Sequence, residues 1–141
     1  WVPYVGGALK TAGFTDIEFV DAMSNHIGDE ELAKILRDRQ PELVLATAIT
    51  PMIYKSQNTL KLVKEICPNA KTIMGGVHPT YMYREVLSEA PWVDYIIRGE
   101  GEEITVNLVR AIANGTDEQK RWEILGIAFL DAGKIVATPA H

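Results

Sequence analysis

The chain has 141 residues and a net charge of −5, from 14 lysines and arginines against 19 aspartates and glutamates. Its hydrophobic fraction of 47% is typical of a globular domain and excludes a disordered chain, and no apolar run approaches the ~20 residues of a membrane span. The acidic balance disfavours nucleic acid as a partner, and the single cysteine excludes a disulfide framework and a self-contained iron–sulfur cluster, which fits a cytoplasmic protein.

The first part of the chain predicts two helices around one strand. The opening residues have the pattern of a helix that ends at Gly13, and residues 16–21 alternate apolar and polar side chains as a strand does. Asp29 is a good N-cap for the next helix, which Pro41 ends. Because the first helix precedes any visible strand and the sequence begins with Trp1, we expect a central upstream strand to be missing from this chain.

Helix and strand patterns continue to alternate downstream. Strands are predicted at residues 43–48, 71–74 and 93–97, and helices at residues 53–67, 80–90 and 102–113. Two final strand-like runs, residues 124–130 and 134–138, flank a tight turn at Asp131-Ala132-Gly133. This order predicts an α/β fold with a doubly wound, mostly parallel sheet of Rossmann-like or flavodoxin-like form and a C-terminal β-hairpin. We expect residues 1–116 to form the α/β body and residues 117–141 the terminal hairpin segment.

Three loops follow the predicted parallel strands, at the sheet edge where open α/β sheets bind ligands. They are residues 47–51 (TAITP), 75–80 (GGVHPT) and 98–102 (RGEGE). Glycines allow a ligand to approach the backbone closely, and threonine hydroxyls both donate and accept hydrogen bonds. The loops therefore predict a shallow, neutral floor that suits a large ligand with many polar edges.

Each of these features also has a purely structural interpretation. The Gly75-Gly76 pair could serve only as a tight turn, and His78 could be an ordinary loop histidine. Glu100 and Glu102 stand where a helix dipole favours carboxylates, and Cys67 suits a small apolar position at a helix end.

The sequence lacks the residue spacing of several common binding and catalytic motifs. Gly99-Glu100-Gly101 lacks the third glycine of the dinucleotide fingerprint, and no phosphate-binding Gly-Lys-Ser/Thr sequence is present. The strand at residues 43–48 ends without the aspartate of a phospho-acceptor domain. No histidines or carboxylates have convincing metal-ligand spacing, and no catalytic set is predicted.

Taken together, the loops resemble a known family. The strings GGVHPT at residues 75–80 and EVLSEAPWVDYIIRGEGE at residues 85–102 look like the cobalamin-binding-type domain at the N-terminus of many radical SAM enzymes. The segments WVPYVGGALKTAG, FVDAMSN and ATAITPMIYKS are most similar to the oxidative cyclases of anaerobic bacteriochlorophyll synthesis, which form the fifth ring of a magnesium tetrapyrrole.

The resemblance implies cobalamin as a cofactor, with the loops cradling its corrin. It makes eight residues candidates for cofactor binding: Thr47, Thr50, Gly75, Gly76, His78, Thr80, Gly99 and Glu100. It also implies a radical SAM domain, absent from this chain, that would hold S-adenosylmethionine and a [4Fe-4S] cluster and act on a tetrapyrrole substrate. The chain alone is then expected to be non-catalytic.

One departure from related cobalamin proteins matters. Their D-x-H-x-x-G motif would place a histidine at Met23 and a glycine at His26, so a histidine–cobalt bond is not predicted. Two other functions stay open at this point: a substrate-binding or docking module on the same enzyme, and a stand-alone small-ligand or regulatory domain of flavodoxin-like shape. Cobalamin binding distinguishes the first alternative, and a downstream Cys-x-x-x-Cys-x-x-Cys in the parent reading frame distinguishes the second.

Overall fold

A computed structural model describes residues 2–22 and 24–141, so the expectations that concern Trp1 and Met23 lie outside the described residues. Within these ranges the chain forms a five-stranded sheet with helices on both faces. The strands are β1 (Leu43–Thr47), β2 (Lys71–Gly75), β3 (Tyr95–Ile97), β4 (Ile127–Asp131) and β5 (Lys134–Ala137).

Five of the seven helices in the described ranges fall between strands, and the other two precede β1. The helices are α1 (Val2–Thr11), α2 (Asp29–Arg39), α3 (Ile53–Ile66), α4 (Val77–Tyr81), α5 (Tyr83–Glu89), α6 (Gly101–Ala113) and α7 (Asp117–Lys120). A short 3-10 turn, Thr50–Met52, leads into α3. None of the helices in the described ranges is long and apolar enough to cross a bilayer.

The sheet has the order β1-β2-β3-β4-β5 and confirms the predicted α/β fold with a terminal hairpin. The first three strands are parallel, and β4 adds to β3 in antiparallel register, with Ile96 opposite Ala128. The β4–β5 hairpin turns through Ala132 and Gly133, both at positive φ, within the tight turn predicted at Asp131-Ala132-Gly133.

One predicted strand does not form. Residues 16–21 are extended but belong to no strand, so the prediction from their alternating pattern was wrong. Alternation reports a possible apolar face, whereas a strand also needs a hydrogen-bonding partner. The described sheet ends at β1 on this side, and Phe19 stays 63% exposed.

Several boundaries also differ from those expected. The helix predicted over residues 80–90 is two helices, α4 and α5, which meet at Met82 with φ −109° and ψ 29°. Pro79 sits in the first turn of α4, where its missing N–H costs nothing. Gly28 rather than Asp29 is the N-cap of α2, and the segment expected to form the terminal hairpin begins with the short helix α7.

The core lies on both faces of the sheet. One face packs α3 and α5 against the sheet through Leu60, Leu87 and Met74, and the other packs α6 through Ile104 and Leu108. Alternate residues of β3 serve the two faces, since Ile96 joins the first cluster while Tyr95 and Ile97 join the second. Because β1, β2 and β3 are parallel, their carboxyl ends lie together at one edge of the sheet.

Candidate functional site

The loops after β1, β2 and β3 lie next to one another, because these strands are neighbours and parallel. The structure therefore brings together the three loops that the sequence singled out. We call this surface the carboxyl edge: residues 47–54, 75–82 and 98–102.

A histidine connects the first two loops. Nδ1 of His78 lies 3.1 Å from Oγ1 of Thr50, within hydrogen-bonding distance. His78 is half-buried, whereas Thr50 is exposed. The pair fixes the start of α4 against the 3-10 turn that follows β1.

Thr80 connects the second loop to the third. Its hydroxyl donates to the carbonyl of Gly76 at 2.7 Å and accepts from the backbone N–H of Gly99 at 3.1 Å. One side chain therefore links the N-cap residue of α4 to an amide of the neighbouring loop. Thr80 fixes the floor of the carboxyl edge, a role that a valine of the same shape could not fill.

The two positive-φ glycines of the carboxyl edge have different environments. At Gly76, with φ +111°, a Cβ atom would lie 2.6 Å from the carbonyl oxygen of Ala48 and 2.9 Å from Oγ1 of Thr47. At Gly99, with φ +99°, a Cβ atom would meet nothing within 4 Å. Gly76 is thus required by the packing of β2 against the end of β1, whereas Gly99 leaves open space above the backbone.

The remaining candidate residues complete the edge. Thr47 ends β1 in an exposed position, and its carbonyl accepts a hydrogen bond from Oγ of Ser56 at 3.0 Å. Gly75 is buried at the end of β2. Glu100 is the exposed N-cap of α6, and its side chain makes no capping hydrogen bond.

Arg98 contacts residues outside the three loops. Its guanidinium lies 4.6 Å from the centre of the Tyr83 ring and donates to the carbonyl of Thr138 at 2.9 Å. The arginine of the RGEGE string therefore secures the residues after β5 against the end of β3.

Sequence reasoning missed the apolar side chains at this edge. Four large ones are strongly exposed: Ile49 (55%), Tyr54 (67%), Val77 (64%) and Tyr81 (78%). They lie in the loop after β1 and in the first or last turns of α3 and α4, where an apolar residue is not needed for the core. That position relative to the strand ends was the available signal. Apolar side chains around a hydroxyl-bearing floor suit a broad ligand with apolar faces and polar edges.

The one marked pKa shift among the described residues lies at the opposite end of the strands. Burial raises the pKa of Tyr95, and its 2.6 Å hydrogen bond to Asp117 and the charge of that carboxylate raise it further. Tyr95 is the first residue of β3, so this pair belongs to the packing of α7 and not to the carboxyl edge.

The fold and this edge define an α/β ligand-binding domain whose floor is built from loop backbone and hydroxyl groups. The family model of the B12 binding domain matches residues 1–109. The chain belongs to the B12-binding domain family, which confirms the resemblance seen in its motifs.

Individual relatives agree with this assignment. The chain is 51% identical over 140 residues to the anaerobic magnesium-protoporphyrin IX monomethyl ester cyclase of Cereibacter sphaeroides, covering 99% of this chain and 23% of the relative. It is 47% identical over 142 residues to the enzyme of the same name from Rubrivivax gelatinosus, covering 100% of this chain and 26% of that relative. The chain therefore spans about a quarter of the length of these cyclases.

A solved structure shares the fold. The N-terminal domain of a hypothetical protein from Thermotoga maritima aligns with a TM-score of 0.50 at 18% identity, covering 80% of this chain and 82% of that one. At that identity the likeness shows the fold alone.

Proposed function

We propose that the carboxyl edge binds the corrin of a cobalamin, and that the chain is the cobalamin-binding module of an anaerobic magnesium-protoporphyrin IX monomethyl ester cyclase. The observation that carries this proposal is the combination of loops joined by threonine hydrogen bonds with four strongly exposed apolar side chains, at the edge where α/β sheets bind ligands. Family membership supplies the cofactor class, and the similarity to the two cyclases supplies the parent enzyme.

The residues present fit a corrin. A corrin is a broad ring with apolar faces and amide groups around its rim. Gly99 leaves room above its backbone, and the side chains of Val77 and Tyr81 offer apolar contact to the ring. Thr47, Thr50 and Glu100 offer exposed polar groups to the rim amides, while Gly75, Gly76, His78 and Thr80 hold the loops in place.

Bound cobalamin would supply a cobalt centre for redox or group-transfer chemistry. The part of this chain is to bind and orient the corrin and to cover one of its faces. We assign the chain itself no catalytic residue. Cleavage of S-adenosylmethionine at a [4Fe-4S] cluster and contact with the tetrapyrrole substrate belong, in this proposal, to a radical SAM domain of the parent enzyme in the cytoplasm. The division into residues 1–116 and 117–141 stays a prediction.

Titration with hydroxocobalamin tests the site. Val77→Glu and Tyr54→Glu place a charge where a ring face would lie, and both positions are exposed, so neither change disturbs the core. We expect each to weaken binding at least tenfold, as followed by the corrin absorbance in equilibrium dialysis. Leu125→Glu is the matched control, because Leu125 is 44% exposed and lies outside the carboxyl edge.

Two results would contradict the proposal. Equal affinity for the wild-type chain and the Val77 and Tyr54 variants would remove the carboxyl edge from the site. Absence of hydroxocobalamin binding by the folded chain, together with saturable binding of magnesium-protoporphyrin IX monomethyl ester, would make this a substrate module instead.

A further inference from the structure

A groove of about 480 Å³ runs along the outer side of α6, and we call it the α6 groove. One wall is a stripe of residues three or four apart on that helix: Glu103, Asn107, Arg110 and Asn114. The other wall comes from residues 120–125, which lead from α7 back towards β4. The lining also includes two buried apolar residues, Ala111 and Ile124, so the groove has an apolar base.

The last residues of the chain lie at one end of this groove. The pairing of β4 with β5 continues beyond both strands, since the N–H of Gly126 donates to the carbonyl of Pro139 at 2.7 Å. His141 then lines the α6 groove, and its Nε2 lies 3.3 Å from Oε2 of Glu103 in the first turn of α6. The hairpin therefore directs the polypeptide onto the outer side of α6.

Gly126 permits this close approach. It has φ +76°, and a Cβ atom there would lie 2.5 Å from Cδ1 of Ile104 and 3.3 Å from Cβ of His141. A side chain at position 126 would crowd both neighbours, in addition to the strain of its φ. The glycine thus keeps the end of the chain against α6.

The α6 groove has the dimensions of an extended polypeptide. From Glu103 to Asn114 it follows eleven residues of α6, or about 17 Å. Spread over that length, its volume of about 480 Å³ gives a cross-section of about 30 Å². A helix with its side chains is ~10 Å wide, or about 80 Å² in section, and does not fit. About five residues of extended chain span the same length.

Positive charge predominates in the groove beyond His141. Arg110 and Lys120 line it, and neither side chain forms an ion pair or a hydrogen bond with the described residues. Because Glu103 is engaged by His141, the one other acid of the lining is Glu123. The apolar base and the two free cations complement a segment that has apolar side chains and a carboxylate.

We infer that the α6 groove holds the polypeptide that follows His141 in the parent enzyme, as an extended strap of about five residues that carries a carboxylate. The inference rests on the parent enzyme of the proposed function, since the chain spans only 23% and 26% of the two cyclases. α6 begins at Gly101, within the third loop of the carboxyl edge. A strap on α6 therefore fixes the connection to the rest of the enzyme relative to the proposed corrin site.

The test compares the 141-residue chain with a chain extended by the next twelve residues of the parent reading frame. Asn107→Cys places a thiol at an exposed position in the groove, while the native Cys67 is buried and gives the background rate. Labelling with N-ethylmaleimide is followed by mass spectrometry. We expect the thiol at position 107 to react at least tenfold more slowly in the extended chain.

The matched control is Asn58→Cys, an exposed asparagine within α3 that lies outside the α6 groove. Its labelling rate should be the same in both chains. If the extended chain does not fold, the same twelve residues are added as a free peptide to the 141-residue Asn107→Cys chain, and the same protection is expected at saturation.

A charge reversal tests the carboxylate of the strap. In the extended Asn107→Cys chain, Arg110→Glu should return the labelling rate to within threefold of that of the 141-residue chain, because a strap carboxylate would then face a like charge. Arg37→Glu, at an exposed position of α2, is the control and should leave the protection unchanged.

Three outcomes would overturn the inference. One is an equal labelling rate at position 107 with and without the following residues, and another is protection that Arg110→Glu does not relieve. The third is a 141-residue chain already protected at position 107 that loses protection on dilution, because a second copy would then occupy the groove. None of these measurements uses cobalamin, so titration of the same extended chain with hydroxocobalamin tests the proposed function separately.

Discussion

The two sides of the sheet differ in how completely they are closed. Tyr95, Ile96 and Ile97 of β3 are at most 2% exposed, with a strand on either side and helices on both faces. β1 is a similar apolar run, yet its first four residues are half-buried and its outer edge borders a groove. The amino-acid compositions of β1 and β3 are similar, so composition alone does not distinguish an edge strand from a central one. A strand is central only when other strands pair with it on both sides.

The largest expected effect is a difference in stability loss between a substitution in β3 and one in β1. Ile96→Ala removes a fully buried side chain from the core on the α3 and α5 face of the sheet and should lower the free energy of unfolding by about 4 kcal/mol. Leu45→Ala, at a half-buried position, should cost about 1–2 kcal/mol because less apolar area leaves contact. Urea unfolding followed by circular dichroism measures both. Equal losses would show that β1 is as well packed as β3 and would break the comparison.

The next contrast lies within the carboxyl edge. Gly76→Ala forces a Cβ against the carbonyl of Ala48 in addition to a positive φ, so we expect a loss of about 3 kcal/mol in unfolding free energy. Gly99→Ala meets open space and should cost about 1 kcal/mol for its φ alone. Thermal and urea unfolding of the two variants provides the measurement. A Gly76→Ala chain as stable as Gly99→Ala would contradict the close approach of β1 and β2 at this point.

A smaller effect concerns the contribution of Tyr95, in β3, to stability at high pH. The hydroxyl of Tyr95 donates to Asp117 at 2.6 Å, and Tyr95→Phe should cost about 1 kcal/mol at neutral pH. Burial and Asp117 raise the pKa of Tyr95 above its ordinary value of 10.0. A raised pKa stabilises the folded chain below the ordinary value, and this contribution is lost as pH rises above it.

The stability difference between wild type and Tyr95→Phe should therefore be constant from pH 7 to about pH 9 and shrink above pH 10, where the unfolded tyrosine ionises. Denaturant unfolding at each pH provides the profile. A difference that grows with alkaline pH would show that Tyr95 ionises more easily in the folded chain, which contradicts a pKa raised by burial and by Asp117.

Sequence reasoning predicted correctly the elements in which the local pattern and the long-range pairing agree. The apolar periodicity of α6, the glycine stop at Gly13 and the Asp131-Ala132-Gly133 turn each depend on nearby residues, and each is present. Residues 16–21 were misassigned because pairing is a property of the neighbour, which their own pattern does not encode. The break at Met82 was missed because no proline or glycine stands there.

The candidate site was predictable at the level of loops but not of roles. The topology rule placed the three loops at one edge, which the structure confirms. The sequence could not show that Gly76 faces Ala48 while Gly99 faces open space, since both precede helices in similar strings. Nor could it show that Val77 and Tyr81 are exposed, because helix-end positions of this kind are equally common in cores.

The most direct test of the central claim is an amide chemical-shift map of the chain on addition of hydroxocobalamin. We predict saturable shifts at residues 47–54, 75–82 and 98–102, with residues 131–134 of the distant hairpin turn unchanged. Shifts confined to other parts of the chain, or none at millimolar hydroxocobalamin with the fold intact, would contradict the assignment of the carboxyl edge as the corrin site.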